Sequence, residues 1–502
     1  MKQNLSLYLH IPFCVRKCLY CDFLSGPQSA DVQEQYVEAL CREIQETSPE
    51  YREEQVVSVF IGGGTPSVLQ PEQTIRIMET VKHCFVLTDT SEISMEMNPG
   101  TVTPEKMRAY RVCGINRISI GLQSANDREL KALGRIHTYE DFLKAYEMAV
   151  EAGFTNINVD LMSAIPEQTL DSYQETLEKV LVLHPQPAHI SAYSLIVEKG
   201  TPFYEQELNL PDEDTERRMY EITDDILREA GYHRYEISNY AKEGKECFHN
   251  KVYWQRGNYL GLGIGSASLI RNVRFHNVTD IQSYVNLMSG GNEQSDVSRE
   301  HGEKFHVEKE QVEKVNAEIE NVKKDNIEKD KNVVERLDKL REEVQELPVE
   351  EQMEEFMFLG LRMMEGVSER KFYENFGRRF EEVFPGVIEK HEKLGLLEVT
   401  GEEEGKIRED AEKIREESGS KEKYQEKRQG RKQEKEERHK VQQGKVQEKQ
   451  CGKRKEEKKE IKKQEEQQER KEQQEQGREF VRLRLTPHGI DVSNQVFVDF
   501  ML

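Results

Sequence analysis

Short β-branched runs alternate with amphipathic stretches along the first half of this chain, and nothing else in it limits the fold as tightly. Between Leu5 and about Ala241 the runs SLYLHI, VVSVFI, EISMEM, NRISIGL, NINVDLM, HISAYSLI and RYEISNY are separated by stretches of helical periodicity such as VQEQYVEALCREI and YEDFLKAYEMAVEAG. Strands alternating with helices mean βαβ units, a parallel sheet and right-handed crossovers. Six or seven such units predict an α/β fold, a full or partial (β/α) barrel over residues 1–241. A doubly wound open sheet is the competing architecture. In a barrel the chemistry gathers at the C-terminal ends of the strands, so the residues that close each run are the candidates for function.

Beyond Ala241 the alternation stops. Residues 242–289 are rich in Gly and aromatics and are expected to close the barrel. Residues 290–348 are charged, with Val, Ile and Leu at rough helical spacing (Val307, Val312, Val315, Ile319, Val322, then Val333, Leu337, Leu340, Val344). They predict a solvated helical insertion. Residues 349–400 and 479–502 are globular again and flank a tract, 401–478, made almost wholly of Glu, Lys, Gln and Arg. That tract cannot bury enough apolar surface to offset the entropy of ordering. LLEVT before it and VRLRLT after it read as two arms of one β-hairpin, so the C-terminal unit is expected to resemble a winged helix with the tract inserted at the hairpin tip.

Charge and composition exclude several functions. A net charge of −23 argues against a general grip on nucleic acid, which needs clustered Lys and Arg. No run of eighteen apolar residues exists to span a membrane, and the start MKQNLSLYLHIPF lacks the pattern of a signal peptide. A cytoplasmic location is expected. In a reducing compartment eight cysteines in 502 residues are no disulfide framework, and a tight cluster favours metal or redox chemistry.

Such a cluster stands at the end of the first run. HIPFCVRKCLYCDF places Cys14, Cys18 and Cys21 within eight positions, and no fourth cysteine follows. A structural zinc site wants four ligands, and only His10 is near enough to complete one. An iron–sulfur cube on three cysteines leaves one iron open to a small molecule. The other runs also close on polar groups: Gly63, Gly64 and Thr65 in FIGGGTPS, Glu96, Gln123, Asp160, then Tyr193 and Ser194, with Arg135 following in LGRIHT. Each alone reads as a cap or an ion pair; together they predict one rim.

Cys-x3-Cys-x2-Cys with Tyr20 before the last cysteine resembles the signature of the radical SAM superfamily. The resemblance implies a [4Fe–4S] cluster on Cys14, Cys18 and Cys21, with S-adenosylmethionine (SAM) on its open iron. Glycine N–H groups and Thr65 would hold the methionine end, and Glu96 suits a ribose diol or an ammonium. YLHIPFCVRKCLYCDF, FIGGGTPS, EMNPGT, INRISIGLQS, LGRIHT and NVDLMSAIPEQT together resemble the family of anaerobic coproporphyrinogen III dehydrogenase and its HemW-type haem-chaperone branch. That family implies SAM contacts at Tyr8, Tyr20, Gly63, Gly64, Thr65, Glu96, Gln123, Arg135, Asp160 and Ser194, three of which (Gln123, Arg135, Asp160) match contacts to a second SAM.

Two features separate the branches. The decarboxylases resemble Cys-x3-Cys-x2-Cys-x-Cys, and here the fourth position is Phe23. The chaperone branch carries HNxxYW, present as His249, Asn250, Tyr253 and Trp254, which implies a haem site. His249 reads either as a haem ligand or, with Trp254, as a packing unit, and Cys247 is a second possible ligand. The branch usually reads GAHS where this chain has Gly265, Ser266, Ala267 and Ser268. The resemblance favours a chaperone that binds cluster, SAM and haem. Its partners would be a haem acceptor such as a membrane respiratory cytochrome and an electron donor such as a flavodoxin or ferredoxin. The rival functions are decarboxylation of coproporphyrinogen III and a scaffold that binds partners through its charged tracts.

Overall fold

The structure is a computed structural model that describes residues 3–289, 331–401 and 480–501. The expectations for 290–330 and 402–479, the body of the two charged tracts, lie outside the described residues. The chain forms two compact units, Met1–Gly366 with Pro487–Leu502, and Val367–Thr486.

Six parallel strands build the large unit: β1 (Gln3–Ile11), β2 (Glu54–Gly63), β3 (Leu87–Met97), β4 (Arg117–Gln123), β5 (Asn156–Ser163) and β6 (His189–Ser194). They pair in chain order. Helices between them include α1 (Ala30–Thr47), α2 (Pro71–Cys84), α3 (Pro104–Val112), α4 (Asp127–Ala132), α5 (Tyr139–Glu151) and α6 (Leu170–Leu181). A doubly wound sheet reverses its strand order partway; right-handed crossovers between strands in unbroken order put every helix on one side and curl the sheet into a partial barrel. Caps fix where helices start: the Ser29, Thr103, Thr138 and Thr169 hydroxyls accept backbone N–H groups of the first turn.

Each strand shows one face to the helices and the other to the inside. On β1 Leu5, Leu7, Leu9 and Ile11 enter the apolar core, while Ser6, Tyr8 and His10 alternate with them. On β4 the core residues are Ile118, Ile120 and Leu122, and Arg117, Ser119, Gly121 and Gln123 point inward. All of β4 is buried, as a parallel strand covered on both faces should be. The inward face is polar, which makes the barrel interior a site rather than a core.

The seventh predicted run does not continue the parallel order. RYEISNY folds back as the hairpin β7 (His233–Glu236) and β8 (Asn239–Ala241), of which β8 pairs antiparallel with β6. It follows α7 (Glu213–Glu229). Residues 242–289 carry α8 (Phe248–Trp254), β9 (Tyr259–Leu262), β10 (Ala267–Ile270), β11 (Val273–Asn277) and α9 (Ile281–Met288). β9 lies parallel to β1 and extends the sheet from its other edge. The stretch 331–340 is helical, with Leu337 and Leu340 in the core, but 341–346 is a strand, β12 (Arg341–Glu346), antiparallel to β11. Helical spacing therefore misread Val344, which is exposed on that edge strand. The helix α10 (Val349–Gly360) also belongs to the large unit.

The small unit holds β13 (Val367–Ser368), α11 (Glu369–Phe376), α12 (Phe380–Val383), α13 (Val387–Lys393), β14 (Leu397–Gly401) and β15 (Val481–Leu485). β14 and β15 pair antiparallel, Leu397 with Leu485 through Gly401 with Val481, which are the two arms read from LLEVT and VRLRLT. Short strand, helices and a two-stranded wing give the winged-helix-like arrangement. Phe372 packs against Phe376, Phe380 and Phe384 at its centre. The last helices, α14 (Pro487–Asp491) and α15 (Ser493–Val498), return to the large unit.

Candidate functional site

The cysteine loop leaves the C-terminal end of β1 and is tied down at both ends. Cys14 N–H donates to the Gly26 carbonyl and Gly26 N–H to the Pro12 carbonyl, each at 3.0 Å, and Leu19 N–H donates to the Leu133 carbonyl. All three thiols are partly exposed. Two receive hydrogen bonds: Thr65 Oγ1 reaches Cys14 Sγ at 3.4 Å and Arg135 Nη1 reaches Cys18 Sγ at 3.7 Å. Asn98 joins these donors, giving Nδ2–H to Thr65 Oγ1 at 2.8 Å and accepting Arg135 Nη2–H at 2.9 Å. A continuous chain, Cys14–Thr65–Asn98–Arg135–Cys18, thus borders the loop. Asn98 escaped the sequence reading; its signal was the Asn-Pro turn closing β3 in EMNPGT.

His10 is unavailable as a fourth metal ligand. Its Nδ1 pairs with the Tyr8 hydroxyl at 3.0 Å and its Nε2 with the Leu24 carbonyl at 2.8 Å, and burial holds its pKa below the ordinary value. Among the described residues no three His, Cys, Asp or Glu side chains converge on a point where a single metal ion would sit.

The glycine turn after β2 serves close approach. A Cβ on Gly64 would stand 2.7 Å from the Phe13 carbonyl oxygen and 3.0 Å from that of Ile11, and one on Gly63 would strike the His10 ring. The expected amide donors are already used: Gly63 N–H goes to Glu96 Oε2, Gly64 N–H to the Ile11 carbonyl and Thr65 N–H to the Phe13 carbonyl. Gly121 is needed for the same reason, since a Cβ there would meet Asn98, Arg135 and Gln123 at about 3 Å.

Inside the barrel a cavity of about 260 Å³ is lined by Tyr8, Gly63, Glu96 and Asp160 together with His249, Asn250 and Tyr253, and with Phe23. Glu96 is half-buried, and desolvation plus the Asp160 charge push its carboxyl up to about 8. Burial also raises Asp160, against hydrogen bonds from Asn158 Nδ2 (2.7 Å) and the Ser119 hydroxyl (3.0 Å). Two carboxyls of raised pKa in one cavity suit a cationic or hydroxyl-bearing ligand, because such a partner restores the charged form. Arg135 and Thr65 line a separate small hollow beside Cys18. Gln123 holds a left-handed φ of 72° and accepts the Tyr193 hydroxyl at 3.1 Å. Tyr20 is half-buried; desolvation raises its pKa against the opposing charge of Arg135, and Ser194 pairs with the Ser163 hydroxyl at 3.1 Å.

α8 presents His249 to the cavity. Glu92 caps that helix, accepting N–H from Phe248 and His249, both at 3.1 Å, and the Cys247 thiol at 3.5 Å. His249 is 1% exposed, with Nδ1 on the Ser58 hydroxyl at 2.9 Å and Nε2 on the Tyr253 hydroxyl at 2.8 Å. Its ring stacks on Phe60. Burial and the Arg117 charge lower its pKa to about 3, so the imidazole is neutral. Cys247 is wholly buried and its thiol is pushed up to about 12. Trp254 does not line the cavity; the Arg362 guanidinium lies 4.4 Å over its ring.

A half-open parallel barrel with a three-cysteine loop on its first strand defines the class. Residues 8–180 match the Radical SAM superfamily, and residues 347–403 the HemN C-terminal domain. The fold is that of the solved "Coproporphyrinogen III oxidase (HemN) from Escherichia coli", with a TM-score of 0.63 over 80% of this chain and 85% of that one at 21% identity. The protein "Heme chaperone HemW" of Bacillus subtilis (strain 168) is 34% identical over 397 residues, 78% of this chain and 92% of the relative. The protein of the same name from Escherichia coli (strain K12) is 40% identical over 263 residues, 52% of this chain and 69% of the relative. The chain belongs to the HemW family of radical SAM proteins. No helix among the described residues is long and apolar enough to cross a membrane.

Proposed function

We propose that the chain is a haem chaperone, holding a [4Fe–4S] cluster on Cys14, Cys18 and Cys21, SAM beside it, and haem at the cavity mouth for transfer to an acceptor such as a membrane respiratory cytochrome. The residues fit such a cluster: three thiols share one loop, and Thr65 and Arg135 give hydrogen bonds to two of the sulfurs. When bound, a cluster of this kind supplies one electron, drawn from a flavodoxin or ferredoxin, and its hydrogen bonds help set the potential. SAM would lie along Tyr8, Tyr20, Gly63, Gly64, Thr65, Glu96, Gln123, Arg135, Asp160 and Ser194. Glu96 and Asp160 would orient its cationic and diol groups. His249, Asn250 and Tyr253 are the haem contacts, with Trp254 behind them. Ligation of haem iron by His249 requires the Tyr253 hydroxyl to release Nε2.

Phe23 carries the choice between the two branches. Its ring, 63% exposed, lines the cavity where a decarboxylase is expected to present a fourth cysteine. The relatives are heme chaperones by name and agree with it. The test is an anaerobic haem titration of the cluster-reconstituted full chain and of His249→Ala, with an assay for coproporphyrinogen III decarboxylation on the same samples. The expected result is haem binding near one per chain, no decarboxylation, and affinity lowered about tenfold or more in the variant. Turnover of the porphyrinogen would overturn the reading.

A further inference from the structure

We propose that Arg117 is the anchor for a carboxylate group of a ligand that enters the barrel cavity. This rests on the reading of the cavity as the ligand site and adds the chemistry of its floor.

Arg117 opens β4 and is 2% exposed, yet among the described residues no hydrogen bond or ion pair reaches its guanidinium, and its Nε is buried without a partner. Ser94, its register neighbour on β3, likewise buries an unpartnered hydroxyl. Buried cations are ordinarily paired and hydrogen-bonded, because desolvation of an unpaired one costs several kcal/mol, roughly. The neighbouring carboxylates are engaged elsewhere: Glu92 caps α8, and Asp160 accepts from Ser119 and Asn158. They balance the charge of Arg117 at a distance and give it no direct contact.

The guanidinium instead lines the cavity beside Ser119, Asn158 and Ser191. Register places it one inward-facing layer below Glu96, since Ser94 pairs with Arg117 and Glu96 with Ser119. Two residues along a strand are about 7 Å. The floor is therefore cationic and the level above it carboxylic. A planar fork with free N–H groups matches a carboxylate in two-point geometry. About 260 Å³ falls short of what a drug-sized ligand occupies, so the cavity admits an arm and not a macrocycle. Two arms have this chemistry: a propionate of a tetrapyrrole whose ring stays at the mouth, and the amino-acid end of a second SAM, that of the first being assigned to the cluster side with Thr65. The alternative is a structural countercharge solvated by interior water.

The test titrates the cluster-reconstituted full chain anaerobically with haem, with haem dimethyl ester, whose carboxylates are blocked, and with SAM, for the native sequence, Arg117→Gln and Arg117→Lys. A propionate anchor makes the native chain prefer haem to its diester by about tenfold or more, a preference lost in Arg117→Gln and partly kept in Arg117→Lys. An anchor for SAM instead shows equal binding of haem and diester, with SAM weakened about tenfold in Arg117→Gln. Affinities for all three ligands that ignore both esterification and Arg117 overturn the proposal and leave the chaperone reading standing. Failure of the native chain to bind haem, with SAM binding indifferent to Arg117, overturns both. The comparison of haem with diester uses the native chain alone, so it holds even if the variants fold poorly.

Discussion

Glu96 is a carboxyl group that the fold keeps protonated past neutrality, and that has a cost. Its ordinary value of 4.5 is raised to about 8, first by burial and then by Asp160. The native state then binds more protons than the unfolded chain between those values, so the stability this group contributes is full below pH 4.5 and is lost as pH rises toward 8. Glu96→Gln keeps an acceptor for the Gly63 N–H and removes the titration. In the absence of ligands, the variant should gain on the native chain between about pH 5 and about pH 8, by on the order of 2–4 kcal/mol. Denaturant midpoints measured across that range test it, and a constant gap at all pH values would refute it. The sequence placed Glu96 and Asp160 correctly on the inward face, because alternation tells which residues share a face, but β5 runs on past Asp160 to Ser163. It could not tell that Gly63 and Gly64 spend their N–H groups inside the fold. Nor could it show Arg117 unpaired, since partners come from strands that only folding sets side by side.

At the scale of elements, the turn after β2 and the cysteine loop after β1 hold each other. Gly64 and Thr65 donate to the carbonyls of Ile11 and Phe13, the last residues before Cys14. Gly64→Ala would press a methyl group against those carbonyls, and backbone on both sides cannot yield as a flexible side chain can. Relief must come from moving the cysteine loop. The variant should keep its far-ultraviolet circular dichroism, lose about 1–3 kcal/mol of stability, and retain less than about half the native iron after reconstitution. Native iron content in the variant would show that the two turns move independently. Period-two patterning made β1 to β6 legible, and turn residues marked their ends. β12 was not legible: REEVQE has little intrinsic strand preference and continues a helical charge pattern. Pairing with β11 along an exposed edge makes it a strand, and that pairing is invisible to local sequence.

Across the whole molecule, the chain crosses between its two units twice. It leaves the large unit after Gly366, builds the winged-helix-like unit, and returns at Pro487 to finish on the large one. Sequence composition grouped 349–400 with 479–502 because both are globular stretches outside the charged tract; it could not say which core each one serves. In the structure Val496 and Phe500 are fully buried and Phe497 nearly so, α15 packs on α10, and Asp491 pairs with Arg217 of α7 at 3.2 Å. The exposed ion pair adds little. The three apolar side chains matter, each worth roughly 2 kcal/mol on burial. Removing residues 487–502 should therefore destabilise the large unit by on the order of 5 kcal/mol, although the deletion lies far along the chain from the barrel strands. The small unit, whose β14–β15 pairing ends before Pro487, should keep its own protection. Hydrogen exchange resolves the two units separately: faster exchange in α10, with β14 and β15 unchanged, is the expected pattern. Loss of protection in β14 and β15 alone would assign the last residues to the wing instead.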